Sequence, residues 1–352
     1  MTSDSRFKSK TPRSSFYSDE IASLVEKIAP KKNRDLIFQV LNAAVNLASD
    51  DTDRLDLKIV SSALIELNDA FSTFAPYRSV RKLTIFGSAR TKEDDPNYRL
   101  TAEIAKRIAS EDWMVITGAG PGIMAAGIEG AGRDRSFGVN IKLPFESSAN
   151  LFIAQDPKLV EMKYFFTRKL IFMKESDAFV VMPGGFGTLD EAFELLTLVQ
   201  TGKAQPAPIV FLEARGEEYW QRWLEYVEAE LFGRGMVSPQ DRSLFRITDD
   251  VDDAIEEILM FYRNYHSMRW VGNLLIIRMK KAPTPEELDQ INREFGVLCQ
   301  SGTIEAIPIT GTEKGEKDAV EMERIALRFD RSSHGLLRQL IDRLNRLSSI
   351  SQ

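Results

Sequence analysis

The chain of 352 residues is 43% hydrophobic and 28% charged, which is typical of a globular protein with a sizeable core. No apolar run reaches the roughly 18 residues of a membrane span, and one cysteine with two histidines argues against a disulfide or a Cys/His metal cluster, so we expect a cytoplasmic protein without a metal. The net charge of −6 gives no overall attraction to nucleic acid or to an anionic membrane, and we expect neither as a partner.

The first 79 residues divide into a polar arm and a helical extension. Residues 1–18 are rich in Ser and Thr, slightly basic and without the apolar stretch of a secretory signal, so we expect a disordered arm. Over residues 19–79 apolar side chains recur at helical spacing, as they do from Leu36 to Ala48, which predicts two or three helices. Isolated short helices are marginal in water, so we expect these to pack on the core or on a partner subunit.

Residues 80–264 alternate short β-rich runs with helical stretches, which indicates a parallel sheet covered on both faces. The predicted fold class is therefore α/β, with a Rossmann-like doubly wound parallel sheet in this domain. The predicted strands are 83–86, 114–117, 137–141, 179–182, 209–212 and 244–247. The predicted helices are 97–110, 122–132, 164–176, 189–201, 217–231 and 251–262.

Residues 265–352 have a different order of strand-like and helix-like apolar patterns, which predicts a small α+β module of order βαββα. Its predicted elements are a strand over 273–279, a helix over 285–298, a strand over 303–309, a polar loop around 311–317, a strand over 324–329 and a final helix that ends near 347.

Three loops of the central domain follow predicted strands, and ligands of such sheets bind outside the carboxyl ends of the strands. We therefore expect these loops to converge on one pocket. They are Gly87-Ser88-Ala89-Arg90, Gly118-Ala119-Gly120-Pro121-Gly122 and the turn that begins at Pro183.

The third loop indicates chemistry most strongly. The apolar run 178–182 leads into Pro183-Gly184-Gly185-Phe186-Gly187-Thr188, and a helical pattern follows. Glycines with unusual dihedral angles let the backbone approach a ligand closely, and the free N–H groups of a helix start bind phosphate. Glu191 is expected in the first turn of that helix, so the sequence predicts a phosphate cradle beside a carboxylate.

Two familiar nucleotide motifs do not fit this chain. The dinucleotide fingerprint lacks its third glycine, because Ile123 stands three residues after Gly120, and the next strand ends without an acid for a ribose hydroxyl. The P-loop fails too, because Gly202-Lys203-Ala204 lacks the required hydroxyl.

Three of the candidate residues also have purely structural interpretations. Thr188 and Glu191 match a capping box, in which Thr caps the helix and Glu bonds back to the cap N–H. Arg168, in the preceding predicted helix, fits a solvated helix surface. Both interpretations stay open at the level of these residues alone.

The Pro-Gly-Gly-x-Gly-Thr-x-x-Glu motif at Pro183 to Glu191, with Arg168-Lys169 upstream, resembles the LOG (Lonely Guy) family of nucleoside-monophosphate phosphoribohydrolases. The resemblance covers residues 82–203 well and the flanks hardly at all. Further matching segments are Gly87 to Arg90, Gly118 to Met124, Gly138 to Pro144 and Gln200 to Lys203.

The resemblance implies that water cleaves the N-glycosidic bond of a nucleoside 5′-monophosphate, giving a free base and ribose 5-phosphate. Glu191 and Arg168 would be catalytic, with Glu191 stabilising the ribosyl cation and aligning water. Family members are usually dimers or larger, so a homo-oligomer is implied, and no cofactor is. The label of lysine decarboxylase often given to the family has no support in a recognisable pyridoxal-phosphate lysine. The substrate would be bound by Ser88, Gly120, Gly122, Gly184, Gly185, Gly187 and Thr188.

The substrate and the purpose of the flanks are less defined. Gly122-Ile123-Met124-Ala125 differs from the Gly-Leu-Met-Gly-like segment of compact plant and fungal LOG proteins, and the long form is nearer to bacterial nucleotide nucleosidases. AMP-like nucleotides and cytokinin riboside monophosphates are both candidate substrates, the second implying cytokinin activation. The alternative function is a non-catalytic binder or carrier, similar to molybdenum-cofactor carriers or nucleotide sensors. The C-terminal module is a candidate for binding an effector or a subunit.

Overall fold

The computed structural model describes residues 17–28, 33–49, 51–142 and 149–351. Almost all of the predicted arm, and the Leu143-Pro144 end of one matching segment, lie outside the described residues. The chain divides into two compact units, Met1–Ile65 and Glu66–Gln352. The domain boundaries at residues 79 and 264 remain predictions.

The first unit is helical in its described part, as the apolar spacing predicts. It contains α1 (Ser18–Ile28), α2 (Arg34–Ser49) and the first half of α3 (Arg54–Phe74). α1 contacts α2, and Ile21 and Val25 of α1 are buried. Several apolar side chains of these helices are nevertheless exposed, among them Leu36, Ile37, Val40, Val60 and Leu64.

The second unit contains a parallel sheet of seven strands within the described residues, which confirms the predicted fold class. The order is β4-β3-β2-β1-β5-β6-β7, so the chain winds outward from β1 in one direction and then from β5 in the other. The strands are β1 (Lys82–Phe86), β2 (Met114–Thr117), β3 (Ser136–Ile141), β4 (Leu159–Met162), β5 (Ala178–Val181), β6 (Ile209–Leu212) and β7 (Arg246–Thr248).

Successive strand residues point to opposite faces of this sheet, and helices pack on both faces, so two cores form. Phe86 and Val181 face one core, and Ile85 and Val180 face the other. The end of α3 with α6 (Phe165–Glu175), α7 (Phe186–Gln200) and α8 (Tyr219–Tyr226) covers the first face. The other face is covered by α4 (Pro96–Ser110), α5 (Ile123–Ala131) and α9 (Val251–Phe261).

Local sequence explains how several of these helices start and pack. Asp95 caps α4 by accepting a hydrogen bond from the Asn97 N–H, and Pro96 occupies the first helical turn, where its missing N–H costs nothing. A Cβ at Gly130 would lie 2.0 Å from the Ala102 carbonyl oxygen, so only glycine lets α5 approach α4 this closely. In the described part of the chain, no helix is both long and apolar enough to cross a membrane.

Residues 265–351 contain a four-stranded antiparallel sheet of order β10-β11-β9-β8, with helices beside it. The predicted βαββα order is wrong in two places. A strand, β8, precedes the first predicted one, and the predicted polar loop is the helix α11. The elements are β8 (Tyr265–Val271), β9 (Leu274–Met279), α10 (Pro285–Phe295), β10 (Glu305–Ala306), α11 (Gly311–Glu316), β11 (Glu323–Leu327) and α12 (His334–Asn345).

Candidate active site

The site lies where the strand order reverses, between β1 and β5. The Ser88 N–H donates a 3.2 Å hydrogen bond to the Pro183 carbonyl oxygen, which joins the loops that follow these two strands. The loop after β2 reaches the same place through Gly118 and Gly120. Crevices form at such reversal points because neighbouring loops turn to opposite faces of the sheet.

The three predicted loops therefore converge on one cavity of about 810 Å³. Of the nine predicted site residues, eight line it: Ser88, Gly120, Arg168, Gly184, Gly185, Gly187, Thr188 and Glu191. Gly122 does not. It is buried at the start of α5, with a φ of +65° and no room for a Cβ beside the Ser88 carbonyl oxygen, so it shapes the loop from behind.

The glycine turn differs from its prediction in two respects. α7 begins at Phe186 with Gly185 as its cap, so Thr188 is the third residue inside the helix, and no side chain among the described residues caps the terminus. The capping-box interpretation is therefore wrong, and Glu191 lies in the second turn, not in the first. The expected unusual dihedral angles are also absent, since none of the described turn glycines Gly184, Gly185 and Gly187 has a positive φ.

Space, and not backbone strain, explains the glycines of the turn. Cβ atoms at Gly185 and Gly187 would meet none of the described residues within 4 Å, and both positions line the cavity. A Cβ at Gly184 would lie 2.2 Å from the Thr188 hydroxyl oxygen, so glycine there lets the buried Thr188 side chain close the turn. The first N–H groups of α7 have no intrahelical acceptor, which makes this terminus suited to an anion.

A tyrosine holds this turn from outside the cavity. The Tyr219 hydroxyl donates a 2.6 Å hydrogen bond to the Gly184 carbonyl oxygen. In a planar trans peptide the carbonyl and the following N–H point in opposite directions. Fixing the Gly184 carbonyl toward Tyr219 therefore directs the Gly185 N–H the other way, and Tyr219 is not among the residues that line the cavity.

Glu191 is a largely buried carboxylate, and the Arg168 guanidinium is the cation within 4 Å of it in the described structure. Its side chain is 15% exposed, and its Oε1 lies 3.9 Å from Arg168 Nη1. Burial raises the pKa of Glu191 to about 7, against the opposing effect of Arg168 and Lys169, while Asp190 and Glu194 add to the rise. Near neutral pH this group can accept or give up a proton.

Arg168 is fixed by the sheet and is not the solvated helix residue of the structural interpretation. It is 8% exposed, and its Nε donates a 2.8 Å hydrogen bond to the Val139 carbonyl oxygen. Its Nη2 lies 3.4 Å from the Gly118 carbonyl oxygen. A Cβ at Gly118 would lie 2.1 Å from that Nη2, so glycine at this position makes room for the guanidinium.

A family model described as possible lysine decarboxylase matches residues 122–258. A cytokinin riboside 5′-monophosphate phosphoribohydrolase from Mycobacterium tuberculosis is 30% identical over 158 residues, which cover 44% of this chain and 82% of that protein. The chain belongs to the LOG family. A protein of the same name from Rhodococcoides fascians is 35% identical over 91 residues, 26% of this chain, and that alignment spans 44% of the relative's length.

Solved structures similar to this LOG-family chain include a molybdenum cofactor binding protein from Rippkaea orientalis. It is 19% identical, with a TM-score of 0.36, and the match covers 50% of this chain and 94% of that one. The molybdenum cofactor carrier protein of Chlamydomonas reinhardtii is 21% identical, with a TM-score of 0.34 over 50% of this chain and 94% of its own.

Among the described residues of this LOG-family chain, Lys169 is the lysine that lines the site. Its surroundings do not favour formation of a Schiff base. Lys169 Nζ lies 2.7 Å from a carboxylate oxygen of Asp190 and 2.7 Å from one of Glu194. Burial lowers the pKa of Lys169, but the hydrogen bonds to these two carboxylates outweigh it and raise the pKa above its ordinary value. An amine nucleophile needs the opposite shift.

Sequence reasoning did not assign a role to several residues that line the cavity. Lys169 and Arg90 stand in segments that match the family, so their adjacency to assigned residues was a usable signal. Phe165 and Phe186 are 53% and 94% exposed, and apolar spacing within a helix does not reveal such positions. The remaining unassigned lining residues include Met124, Asn140 and Ile141.

Proposed function

We propose that the protein hydrolyses the N-glycosidic bond of a nucleoside 5′-monophosphate, giving a free base and ribose 5-phosphate. One observation carries the proposal. A largely buried carboxyl group with a pKa of about 7, Glu191, lines the same cavity as the amino terminus of α7, which no described side chain caps. A side chain that can act as a general acid or a general base thus lies beside an anion site, as cleavage next to a sugar phosphate requires.

The amino terminus of α7 is the proposed phosphate site. Free N–H groups and the helix dipole favour a dianion there, and Gly185 and Gly187 leave open space for its oxygens. The Thr188 hydroxyl and Ser88 add hydrogen-bonding groups. Tyr219 holds the Gly184 carbonyl oxygen, so the N–H of the same peptide unit, which belongs to Gly185, has a fixed direction. Binding energy at the non-reacting phosphate then positions the sugar.

The chemistry proceeds through a ribosyl group with oxocarbenium character. The bond between C1′ and the base nitrogen breaks, the electron pair leaves with the base, and a water oxygen bonds to C1′. Glu191 as carboxylate stabilises the cationic carbon and accepts the proton of that water. The departing base takes up one proton from the solvent, and Glu191 then returns its own proton to the solvent. Arg168 opposes the protonation of Glu191 and holds it in place.

The base of the substrate is proposed to lie against the aromatic side chains of the cavity. Phe165 and Phe186 are exposed there, and stacking of a base on an aromatic ring contributes about 1–3 kcal/mol in nucleic-acid sites. Such stacking tolerates different bases, which fits both AMP-like nucleotides and the cytokinin riboside monophosphates named in the relatives.

A direct assay distinguishes hydrolysis from carriage. Purified protein is incubated with AMP and with a cytokinin riboside monophosphate, and release of base and of ribose 5-phosphate is followed in parallel. The proposal expects both products in equal amounts. Tight nucleotide binding without either product would support a carrier instead, and neither binding nor turnover with any nucleoside monophosphate would overturn the proposal.

We also propose that the chain forms a homo-oligomer. Phe165, Phe166 and Phe193 are exposed and line one surface depression beside the cavity, and Leu170 of α6 is exposed as well. An exposed apolar patch is typical of an interaction surface. Leu195 and Val199 of α7 are buried in the core. Light scattering of the wild type and of Phe166→Glu tests this, with a smaller particle expected for the variant.

A further inference from the structure

Arg90 lines the candidate active site and has no role in the hydrolysis as described so far. It is exposed, and it follows Ser88 by two residues in the loop after β1. Within the described residues its guanidinium has no hydrogen-bond or ion-pair partner, since its one hydrogen bond there is made by the backbone N–H. The side chain is therefore available to a ligand of the cavity.

The other two cations that line the described cavity are already held by the protein. Arg168 Nη1 lies 3.9 Å from Glu191, and Nε of the same guanidinium donates a hydrogen bond to a carbonyl oxygen of β3. Lys169 Nζ lies 2.7 Å from each of two carboxylates of α7. A phosphate monoester carries a charge of about −1.5 to −2 at neutral pH. Arg90 is thus the lining cation whose charge no described carboxylate compensates.

The sheet register puts the backbone of Arg90 beside the amino terminus of α7. β1 and β5 are neighbouring parallel strands, and Phe86 of β1 is paired with Val181 of β5. Neighbouring strands lie about 4.8 Å apart. Arg90 stands four residues after Phe86, and Gly185, the cap of α7, stands four residues after Val181. The two loops therefore leave the same edge of the sheet next to each other.

Hydrogen bonds fix the loop that carries Arg90. The Ser88 N–H donates to the Pro183 carbonyl oxygen, and the Ser88 carbonyl oxygen accepts a 3.0 Å hydrogen bond from the Ile123 N–H. The Arg90 N–H donates a 3.1 Å hydrogen bond to Ser88 Oγ. Because this oxygen acts as an acceptor here, its own hydrogen can still be donated to a phosphate oxygen. The loop thus presents a hydroxyl and a guanidinium from a fixed backbone.

We propose that Arg90 binds the 5′-phosphate of the substrate together with the amino terminus of α7. The planar guanidinium presents N–H donors in a fork that matches phosphate oxygens, and its charge balances part of the charge of the dianion. This assignment rests on the proposed function, because it takes the anion at α7 to be the phosphate of a nucleoside monophosphate. Arg90 is a substrate-binding residue in this assignment and takes no part in proton transfer.

The test measures the dissociation constant of ribose 5-phosphate by calorimetry for the full native chain, Arg90→Gln and Arg90→Lys. We expect binding to Arg90→Gln to be about tenfold weaker or more, as for one lost hydrogen bond to a charged group. Arg90→Lys keeps the charge without the fork, so its constant should lie between the other two. Arg99→Gln is the matched control and should bind within twofold of the native chain. Arg99 is also exposed and without an ion pair among the described residues, and it does not line this cavity.

The assignment is overturned if ribose 5-phosphate does not bind the native chain saturably, if Arg90→Gln binds it within twofold of the native chain, or if Arg90→Lys binds it no more tightly than Arg90→Gln. Kinetics with AMP separate this assignment from the proposed function, since KM should rise in Arg90→Gln by the same factor, with a smaller change in kcat. Binding that depends on Arg90, without release of base by the native chain, would overturn hydrolysis and support the role of Arg90. Hydrolysis with an unchanged KM in Arg90→Gln would do the reverse.

Discussion

Arg168 and Glu191 face each other from α6 and α7, with 3.9 Å between Nη1 and Oε1. The two partners are held differently. Hydrogen bonding to the Val139 carbonyl fixes the guanidinium to the sheet, whereas burial pushes the carboxyl group toward its neutral form and raises its pKa to about 7. The pair therefore keeps an acid in place without locking it in one protonation state.

Glu191→Gln should stabilise the fold at neutral pH. The pKa of Glu191 is about 7 in the folded state, which is above its value in the unfolded chain. Its favourable contribution to the free energy of unfolding is therefore fully present below the unfolded-state pKa and is lost as the pH rises through the folded-state pKa. The gain in unfolding free energy of Glu191→Gln should be near zero at pH 4, grow between about pH 4.5 and 7, and level off at roughly 2–4 kcal/mol. Urea unfolding at several pH values measures it, and a gain independent of pH would contradict the assignment.

Replacing Arg168 should move the pH dependence of catalysis. Arg168 lowers the pKa of Glu191, so in Arg168→Gln the carboxylate should form only at higher pH. The acid limb of kcat/KM should shift above pH 7, and kcat should fall by about 10²-fold or more. Arg222→Gln, which removes an exposed partner of Glu218, serves as the control, and an unmoved limb in Arg168→Gln would refute the coupling.

Gly187→Ala should separate stability from function. The position is helical and faces open space, so alanine should leave the fold intact and stabilise it by up to about 0.5–1 kcal/mol. A methyl group in the proposed phosphate site should nevertheless weaken catalysis by about tenfold or more. Gly315→Ala in α11 also meets nothing within 4 Å and should leave catalysis unchanged. Full activity of Gly187→Ala would place the phosphate elsewhere.

Tyr219→Phe should weaken phosphate binding more than turnover. The variant removes only the hydroxyl that fixes the Gly184 carbonyl, and the Gly185 N–H loses its enforced direction. The dissociation constant for ribose 5-phosphate and KM should rise about five- to tenfold, with a smaller change in kcat. Tyr98→Phe, which removes a comparable hydrogen bond to Glu129, is the matched control. Equal effects of both variants would reduce Tyr219 to a structural residue.

The central sheet was predictable because its strands are short, apolar and fully buried, as β1 and β5 are. The edge strand β4 was not, because only Val160 and Met162 of its four residues are buried and Glu161 is exposed. β8 was missed for a similar reason, since Tyr265 and Met268 face the core across a bulge amid polar residues. Hydrophobic pattern therefore finds the central strands and overlooks these two edge strands, β4 and β8.

Contacts with residues distant in the sequence determine some elements that local sequence does not predict. α11 is polar and contains two glycines, yet Glu313 is buried there between Arg278 and Arg324, which lie on β9 and β11. At the site, motif spacing located Thr188 and Glu191, but the capping interpretation could be rejected only once α7 was seen to begin at Phe186. The raised pKa of Glu191 also comes from burial, which sequence spacing does not give.

The most direct test of the account is product analysis with AMP, comparing the wild type with Glu191→Gln by simultaneous quantification of adenine and ribose 5-phosphate. The account predicts equimolar products from the wild type, a loss of about 10²-fold or more in Glu191→Gln, and retained nucleotide binding in that variant. Equal turnover by the two proteins would contradict it.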